Sequence, residues 1–138
     1  MEEERPLGLI EEQDEPSPDH VWVKRAAKLE DYLGEEVVDK AGKLIGILEC
    51  YWEGEDGLLV LCGIQMNQAV RVAPARRAQI SERHSWVRLG FPADEIAAAP
   101  IYDCDEELNE EFERNVYHHY GMTEAQPHSR LKYFAGKH

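Results

Sequence analysis

The stretch LGEEVVDKAGKLIGIL, residues 33–48, carries the strongest fold signal in the chain. Two β-favouring runs lie on either side of a tight turn, in which Gly42 can adopt the positive φ that such turns require. Gly46 lies inside the second run, where a glycine is typical of a β-bulge or a sharp bend. A strand, a tight turn and a bent strand in succession predict a small and strongly curved β-sheet.

Similar β-rich runs, separated by turns, continue to residue 92. Asp56-Gly57 is a typical two-residue hairpin signal. Pro74 ends an alternating run, because proline cannot donate to a sheet ladder. The predicted strands cover residues 21–23, 33–39, 44–52, 58–66, 68–74, 78–81 and 85–91, with a short helical turn from residue 26 to 33. We therefore predict a mainly β fold, a small and partly open β-barrel over residues 21–92.

Residues 93–122 change to a helical pattern. A short helix is stopped by Pro100, and a longer one is capped by Asp103 or Asp105 and ends at Gly121. The apolar positions of the longer helix recur every fourth residue, at Leu108, Phe112, Val116 and Tyr120. This narrow stripe predicts a C-terminal α-helix that packs along one face, on the barrel or on a partner chain.

The two ends of the chain carry opposite charge. Residues 1–20 contain eight acids and Arg5, a net charge of −7, and their low apolar content predicts a disordered acidic arm. Its exception is Leu7-Gly8-Leu9-Ile10, a short apolar patch able to dock on the barrel or on a neighbouring chain. Residues 123–138 show no clear element, and their cations Arg130, Lys132 and Lys137 predict a basic tail.

Composition excludes several classes of partner. The formal net charge is −13, and the one basic cluster of the predicted barrel is Arg71, Arg76 and Arg77, which argues against nucleic-acid binding. No run of apolar residues is long enough to predict a membrane span. The three cysteines lack C-x-x-C spacing and read as reduced thiols, so we expect a cytoplasmic protein.

Catalytic and cofactor motifs are missing from the sequence. We find no phosphate-binding loop, dinucleotide fingerprint, nucleophile elbow or H-E-x-x-H pair, and predict no catalytic, cofactor-binding or metal-ligating residue. His118 and His119 with Asp103, Cys104 and Asp105 could suggest a metal site, but adjacent helical side chains point about 100° apart, so the two histidines make a poor metal pair. The acids of the longer helix read as a solvated face: Glu106, Glu107, Glu110, Glu111 and Glu113.

Three patterns occur in a fixed order along the chain. Residues 33–48 follow G-x-x-V-x-D-x-x-G-x-x-I-G-x-V, with leucine at the last position, and residues 70–74 end a strand in Ala-Pro. A second Ala-Pro pair, Ala99-Pro100, precedes a helix that ends in Y-x-H-Y-G at residues 117–121. In this combination the chain resembles the PRC-barrel family, and in particular its stand-alone bacterial members. The positions on which the resemblance and the turns depend are Gly34, Asp39, Gly42, Gly46, Pro74, Pro100 and Gly121.

The resemblance implies the barrel of the photosynthetic reaction centre H subunit's cytoplasmic part and of the ribosome maturation factor's C-terminal domain. PRC-barrels act mainly in assembly and docking, so we expect a non-catalytic protein-interaction module. A homodimer is expected, paired through the strand at Met66 or Phe91, with acidic arm and basic tail acting in trans. The alternative is an enzyme or binder of small anions that uses the three arginines and His84. The candidate interaction residues are Trp22, Arg71, Arg76, Arg77, Phe112, Val116, Tyr120, Tyr133 and Phe134.

Overall fold

A computed structural model describes residues 20–103, 108–128 and 130–135 of the chain. The predicted acidic arm up to residue 19, the candidate cap Asp105 and the last cation, Lys137, lie outside the described residues. The elements in chain order are β1 (His20–Trp22), a 3-10 helix (Ala26–Tyr32), β2 (Glu36–Val38), β3 (Leu44–Glu53), β4 (Leu59–Met66), β5 (Ala69–Pro74), β6 (Gln79–Ser81), β7 (Trp86–Arg88), α1 (Ala93–Ala97), β8 (Ile101–Tyr102), α2 (Glu110–His119) and β9 (Lys132–Ala135).

The strands form one sheet in the order β1-β6-β7-β2-β3-β4-β5-β8, with β9 joined to β3. Neighbouring strands run antiparallel except β2 and β7, which are parallel. The long strand β3 pairs with β2 through its first half and with β9 from Cys50 onward, while β4 lies along it as a third partner. The fold is therefore mainly β, as the glycine-punctuated runs predicted.

The sheet curls towards closure without completing it. The segment that follows β1 returns to the start of β4, where the amide of Leu59 donates to the carbonyl of Lys24 at 2.8 Å. Arg25 and Leu58 form an isolated bridge at the same place. A sheet that curls and joins at one point in this way is a small, partly open β-barrel, which confirms the predicted fold class.

The turn between β2 and β3 is organised by a buried carboxylate. Asp39 is 5% exposed, and its Oδ1 accepts from the amides of Ala41 at 2.9 Å and Lys43 at 2.8 Å. Its Oδ2 accepts from the amide of Ala93, the first residue of α1, at 2.9 Å. Gly42 has φ +90° in this turn. One aspartate therefore shapes the hairpin and fixes the start of α1 beside it.

Gly46 marks an irregularity in β3, as the sequence predicted. The register with β2 shifts beside it, since Val37 pairs with Gly46 but Val38 pairs with Leu44. A Cβ atom at Gly46 would collide with the backbone carbonyl of Gln65 on β4. The absent side chain therefore lets β3 and β4 approach closely where the sheet bends.

The core lies between the curved sheet and α2. Trp52 and Tyr51 are each 1% exposed and fill it with their rings. Tyr120 of α2 packs its ring 4.4 Å from that of Phe91 and donates its hydroxyl to the carbonyl of Val72 at 3.0 Å. The longer helix therefore packs on its own barrel.

Two details of the helical and β-segments differ from the predictions. The cap of α2 is Asn109, whose Oδ1 accepts from the amide of Phe112 at 2.8 Å, whereas the sequence pattern predicted a cap further upstream. The last hairpin strand, β7, ends at Arg88. Phe91 lies beyond it, and β7 pairs with β6 on one side and β2 on the other, so this strand offers no free edge for the expected pairing with a second copy.

The edges and the tail also differ from expectation. Met66 belongs to β4, which has β3 on one side and β5 on the other, so it offers no free edge for dimerisation. The tail contains a regular element, because Tyr133 and Phe134 pair with Trp52 and Tyr51 of β3. Part of the predicted basic tail is therefore a strand of the main sheet.

Candidate functional site

A cleft of about 650 Å³ opens where the end of β1 and the start of β4 meet α2 and the segment after it. Its walls come from four separate parts of the chain: the end of β1, the start of β4, the segment after β5, and the end of α2 with the segment that follows it. The lining residues are Trp22, Val23, Lys24, Asp56, Leu58, Leu59, Val60, Pro74, Ala75, Arg76, Arg77, Ala78, Tyr117, Met122, Ala125, Gln126 and His128. Such a volume is typical of clefts that take a ligand of several groups.

The lining is largely apolar. Val23 and Leu59 are buried beneath the cleft, while Val60 and Met122 are half-buried beside it. Leu58 is 41% exposed at its mouth. A ligand that covers these side chains removes apolar surface from water, which favours binding by about 25 cal/mol for each Å².

The mouth of the cleft is basic. Lys24, Arg76 and Arg77 line it and are exposed, and among the described lining residues Asp56 is the one acid, so their formal charge is three minus one, +2. Asp56 is engaged in the hairpin turn, where its Oδ1 accepts from the amide of Leu58 at 3.1 Å. This local positive charge contrasts with the net −13 of the chain.

A buried carboxylate holds one wall of the cleft. Glu113 is fully buried, and its Oε2 accepts from the Tyr117 hydroxyl at 2.6 Å and from Nδ1 of His128 at 2.7 Å. Its Oε1 accepts from the backbone amide of His128 at 2.9 Å. We call these three residues the Glu113 clasp. The clasp ties α2 to the segment that crosses towards β9.

The electrostatics of the Glu113 clasp favour the hydrogen bond between Tyr117 and Glu113. Burial raises the pKa of the Tyr117 hydroxyl, and its hydrogen bond to the Glu113 carboxylate raises that pKa further. Tyr117 therefore stays protonated and donates to Glu113 across the physiological range. The bond from Nδ1 to the carboxylate also fixes the orientation of the His128 imidazole.

The segment after α2 turns sharply before it reaches the cleft. Gly121 has φ +73°, and the amide of Met122 donates to the carbonyl of Tyr117 at 2.8 Å. Ala125 then donates to the carbonyl of Met122 at 3.1 Å. These bonds bring Met122, Ala125 and His128 onto the wall of the cleft.

The three arginines of the predicted cluster are not together. Arg76 and Arg77 line the cleft, but Arg71 lies on β5, where its Nη1 donates to the carbonyl of Ala99 at 2.6 Å. His84, the fourth residue suggested for anion binding, stacks on Trp86 with ring centroids 4.4 Å apart and does not line the cleft. Two of the four residues proposed for the anion site, Arg76 and Arg77, therefore lie together.

The candidate interaction residues also lie in different parts of the structure. Trp22 lines the cleft, whereas Val116 and Tyr120 are buried in the core of the chain, which leaves them no surface for a partner. Phe112 borders a smaller pocket of about 220 Å³ beside β8. Tyr133 is 43% exposed, and its ring lies 5.5 Å from that of Trp52 on the neighbouring strand.

The last of the candidate residues, Phe134, stacks on Tyr51 with ring centroids 5.0 Å apart. This contact, like that of Tyr133, lies within the chain and holds β9 on the sheet. It accounts for the aromatic pair of the tail without a second chain.

Sequence reasoning missed Lys24 and the Glu113 clasp. Glu113 was assigned to a solvated acidic face, which is wrong because it is fully buried. The missed signal is helical spacing: Glu113, Val116, Tyr117 and Tyr120 follow the i, i+3, i+4, i+7 pattern of one buried face. The buried stripe of α2 therefore includes an acid as well as apolar residues.

The thiol of Cys62 is buried away from the cleft. Burial raises its pKa to about 12. A thiol with so high a pKa is protonated at neutral pH and a poor nucleophile.

Within the described ranges, no group of three or more His, Cys, Asp or Glu side chains is placed to hold a metal ion. His119, considered for such a site, instead contacts the carbonyl of Glu95 through Nε2 at 2.8 Å. Among the described helices, none combines the length and apolar character needed to cross a bilayer.

Comparison with known proteins returned no match to a family model, a curated protein or a solved structure. The likeness to PRC-barrels therefore stays a prediction from the motifs of the sequence.

Proposed function

We propose that the chain is a non-catalytic binding module whose cleft takes an extended peptide segment of a partner, with apolar side chains flanked by acidic ones. The observation that carries this proposal is the union of an apolar lining with a basic mouth in one cleft. The resemblance to PRC-barrels, which serve in assembly and docking, supports the same kind of role.

The energetics favour a mixed ligand over a purely charged one. Covering one Leu-sized side chain in the cleft contributes about 1.5–3 kcal/mol, whereas an exposed ion pair contributes about 0.2–1 kcal/mol. Apolar anchors beside Trp22 and Leu58 therefore supply most of the affinity. Lys24 and Arg76 select acidic flanks and speed the encounter.

The lining chemistry supports binding over catalysis. Among the described lining residues, the hydroxyl of Tyr117 is the one side-chain hydroxyl and there is no thiol. That hydroxyl donates to Glu113, and Nδ1 of His128 contacts the same carboxylate. The polar groups of the wall thus serve to hold α2 and the following segment together. Cys50 and Cys62 are free thiols, which suits a reducing compartment, and we propose a cytoplasmic location.

Fluorescence anisotropy with labelled peptides tests this function on the full chain. The probe has a central Leu-Phe-Leu core and glutamate flanks, and the matched peptides carry lysine flanks or a serine core. We expect the first to bind most tightly, the lysine-flanked peptide more weakly and the serine-core peptide most weakly, and the affinity of the first to fall as salt rises. Arg76→Ala and Lys24→Ala should each weaken binding about threefold to fivefold, by roughly 1 kcal/mol at most.

The control variant is Lys28→Ala, which removes an exposed cation of the 3-10 helix outside the cleft and should leave the affinity unchanged. Equal binding of all three peptides contradicts the proposal. Displacement of the probe by inorganic phosphate or citrate at comparable concentration would instead identify a binder of small anions.

A further inference from the structure

The cleft has a candidate occupant within the chain itself. We infer that residues 7–12, the apolar patch Leu7-Gly8-Leu9-Ile10 and the two glutamates after it, dock in the cleft of the same chain and compete with an external partner. This inference rests on the proposed function, because it names an internal ligand for the same site. The segment lies outside the described residues, and the case for it comes from the cleft and the sequence.

The attachment point places this segment within reach. His20 begins β1, and Trp22 and Lys24, a few residues further on, line the cleft. Ile10 and His20 are ten residues apart, a length of chain that can span up to about 33–36 Å. The patch can therefore turn back from β1 and enter the cleft beside it.

Charge directs the arm to this surface. Residues 1–19 carry −7, and the rest of the chain carries −13 minus −7, which is −6, so most of the molecule repels the arm. The cleft mouth, at +2, is a local exception. Charges are screened beyond about 8–10 Å at physiological salt, so Lys24 and Arg76 act on the arm while more distant acids contribute little.

The composition of the patch matches the lining. Leu7, Leu9 and Ile10 are the aliphatic residues of an otherwise polar arm, and acids lie on both sides of them. The cleft presents exposed Leu58 and half-buried Met122 beside its cations. An apolar core with acidic flanks is the ligand chemistry that the cleft favours.

Because the patch is covalently linked to the barrel, even a weak contact can compete with an external ligand. A short flexible tether holds its end at an effective concentration of about 1 mM. If the patch bound alone with a Kd of about 0.1 mM, it would lower the apparent affinity for an external peptide about tenfold. The arm would then set a threshold that a partner must exceed.

Photo-crosslinking in the full chain locates the arm. A photoreactive phenylalanine analogue replaces Leu9, and the products are mapped by mass spectrometry. We expect crosslinks within one chain to Leu58, Val60 or Met122. The same analogue at Leu44, which is exposed on β3 and does not line the cleft, should give none of these products. Products outside the cleft, or joining two chains, would overturn the inference.

A charge exchange tests the specificity of the contact. Arg76→Glu with Arg77→Glu should abolish the crosslink, as should Glu11→Arg with Glu12→Arg. All four substitutions together should restore it, which loss of the fold cannot do. Persistence of the crosslink in either double variant, or its absence in the fourfold variant, contradicts the electrostatic argument.

Peptide binding separates this inference from the proposed function. Leu9→Ser with Ile10→Ser should raise the affinity for the acidic apolar probe about tenfold by freeing the cleft. If the probe binds but the arm crosslinks elsewhere, the inference fails and the proposed function stands. If the arm crosslinks in the cleft but no variant binds the probe, the internal contact stands and the external ligand fails.

Discussion

Replacement of Glu113 by alanine should loosen one wall of the cleft and destabilise the whole barrel. The substitution removes the acceptor of three hydrogen bonds, from the Tyr117 hydroxyl, the ring of His128 and its backbone amide. Tyr117 is 5% exposed, so its hydroxyl would be left without an acceptor in a dry environment. His128 is accessible and can turn to water instead.

The magnitude follows from these contacts. An orphaned buried hydroxyl costs about 1–3 kcal/mol, and a hydrogen bond to a charged acceptor contributes about 1.5–3 kcal/mol. The two hydrogen bonds from His128 contribute at the low end of this range, because water replaces the lost acceptor. Removal of a buried charge also recovers part of its desolvation cost. We expect a loss of about 3 kcal/mol, or roughly 10 °C in melting temperature for a domain of this size.

Thermal and urea unfolding, followed by far-UV circular dichroism, measure the effect. Glu113→Gln keeps an acceptor for Tyr117 and should cost about half as much. The matched control is Glu110→Ala, an exposed acid at the start of the same helix, which should cost less than about 1 kcal/mol. If Glu113→Ala were as stable as Glu110→Ala, the carboxylate would not hold the wall.

Three further outcomes follow from buried groups. Asp39→Ala should cost about 2–4 kcal/mol in urea unfolding because three amides lose their acceptor, while exposed Lys40→Ala should cost less than about 0.5 kcal/mol; equal effects would contradict the role of the carboxylate. Gly46→Ala should lower the melting temperature by roughly 5–10 °C, since its Cβ meets the carbonyl of Gln65; an unchanged value would show that β3 and β4 can separate freely. Burial raises the pKa of Cys62 from 9.0 to about 12. Between these two pH values the native state keeps a proton that the unfolded chain releases. The free energy of unfolding should therefore fall as pH rises from 9 to 12, by at most roughly 4 kcal/mol. Cys62→Ala should flatten this fall in pH-dependent urea unfolding, although Tyr117 and Tyr120, whose pKa values are also raised, contribute above their ordinary values; an identical profile in the variant would contradict the assignment.

Local signals explain which parts of the fold were predictable. The turn at Gly42, the hairpin at Gly57 and the bend at Gly46 each depend on a residue and its neighbours, so the sequence reveals them. The strand order depends on contacts between distant residues. The parallel pairing of β2 with β7 is one such contact, and the local sequence of neither strand predicts it.

The tail strand shows the same limit. Residues 132–135 read KYFA, too short a run to indicate a strand by itself. They become β9 because the second half of β3 extends beyond its pairing with β2 and offers free backbone groups. Stacking of Phe134 on Tyr51 then holds the strand in register. Such an element is defined by its partner rather than by its own sequence.

The candidate site was half predictable for a geometric reason. Arg71 and Arg76 are close in sequence, but Arg71 lies within β5 and Arg76 lies two residues past its end at Pro74, so the extended strand separates them at about 3.3 Å per residue. Arg76 therefore reaches the cleft, while Arg71 contacts Ala99 beside α1. The arginines form a cluster in the sequence, but the extended backbone of β5 separates them in the structure.

The clasp and the cleft are thermodynamically linked, because the same segment forms the wall and contacts the ligand. His128 and Met122 lie on that wall, and the bonds to Glu113 hold it in place. A ligand that binds only the assembled cleft must stabilise it, by about 2.7 kcal/mol at a concentration of 100 Kd. Glu113→Gln should weaken peptide binding and lose more stability in the presence of ligand than in its absence.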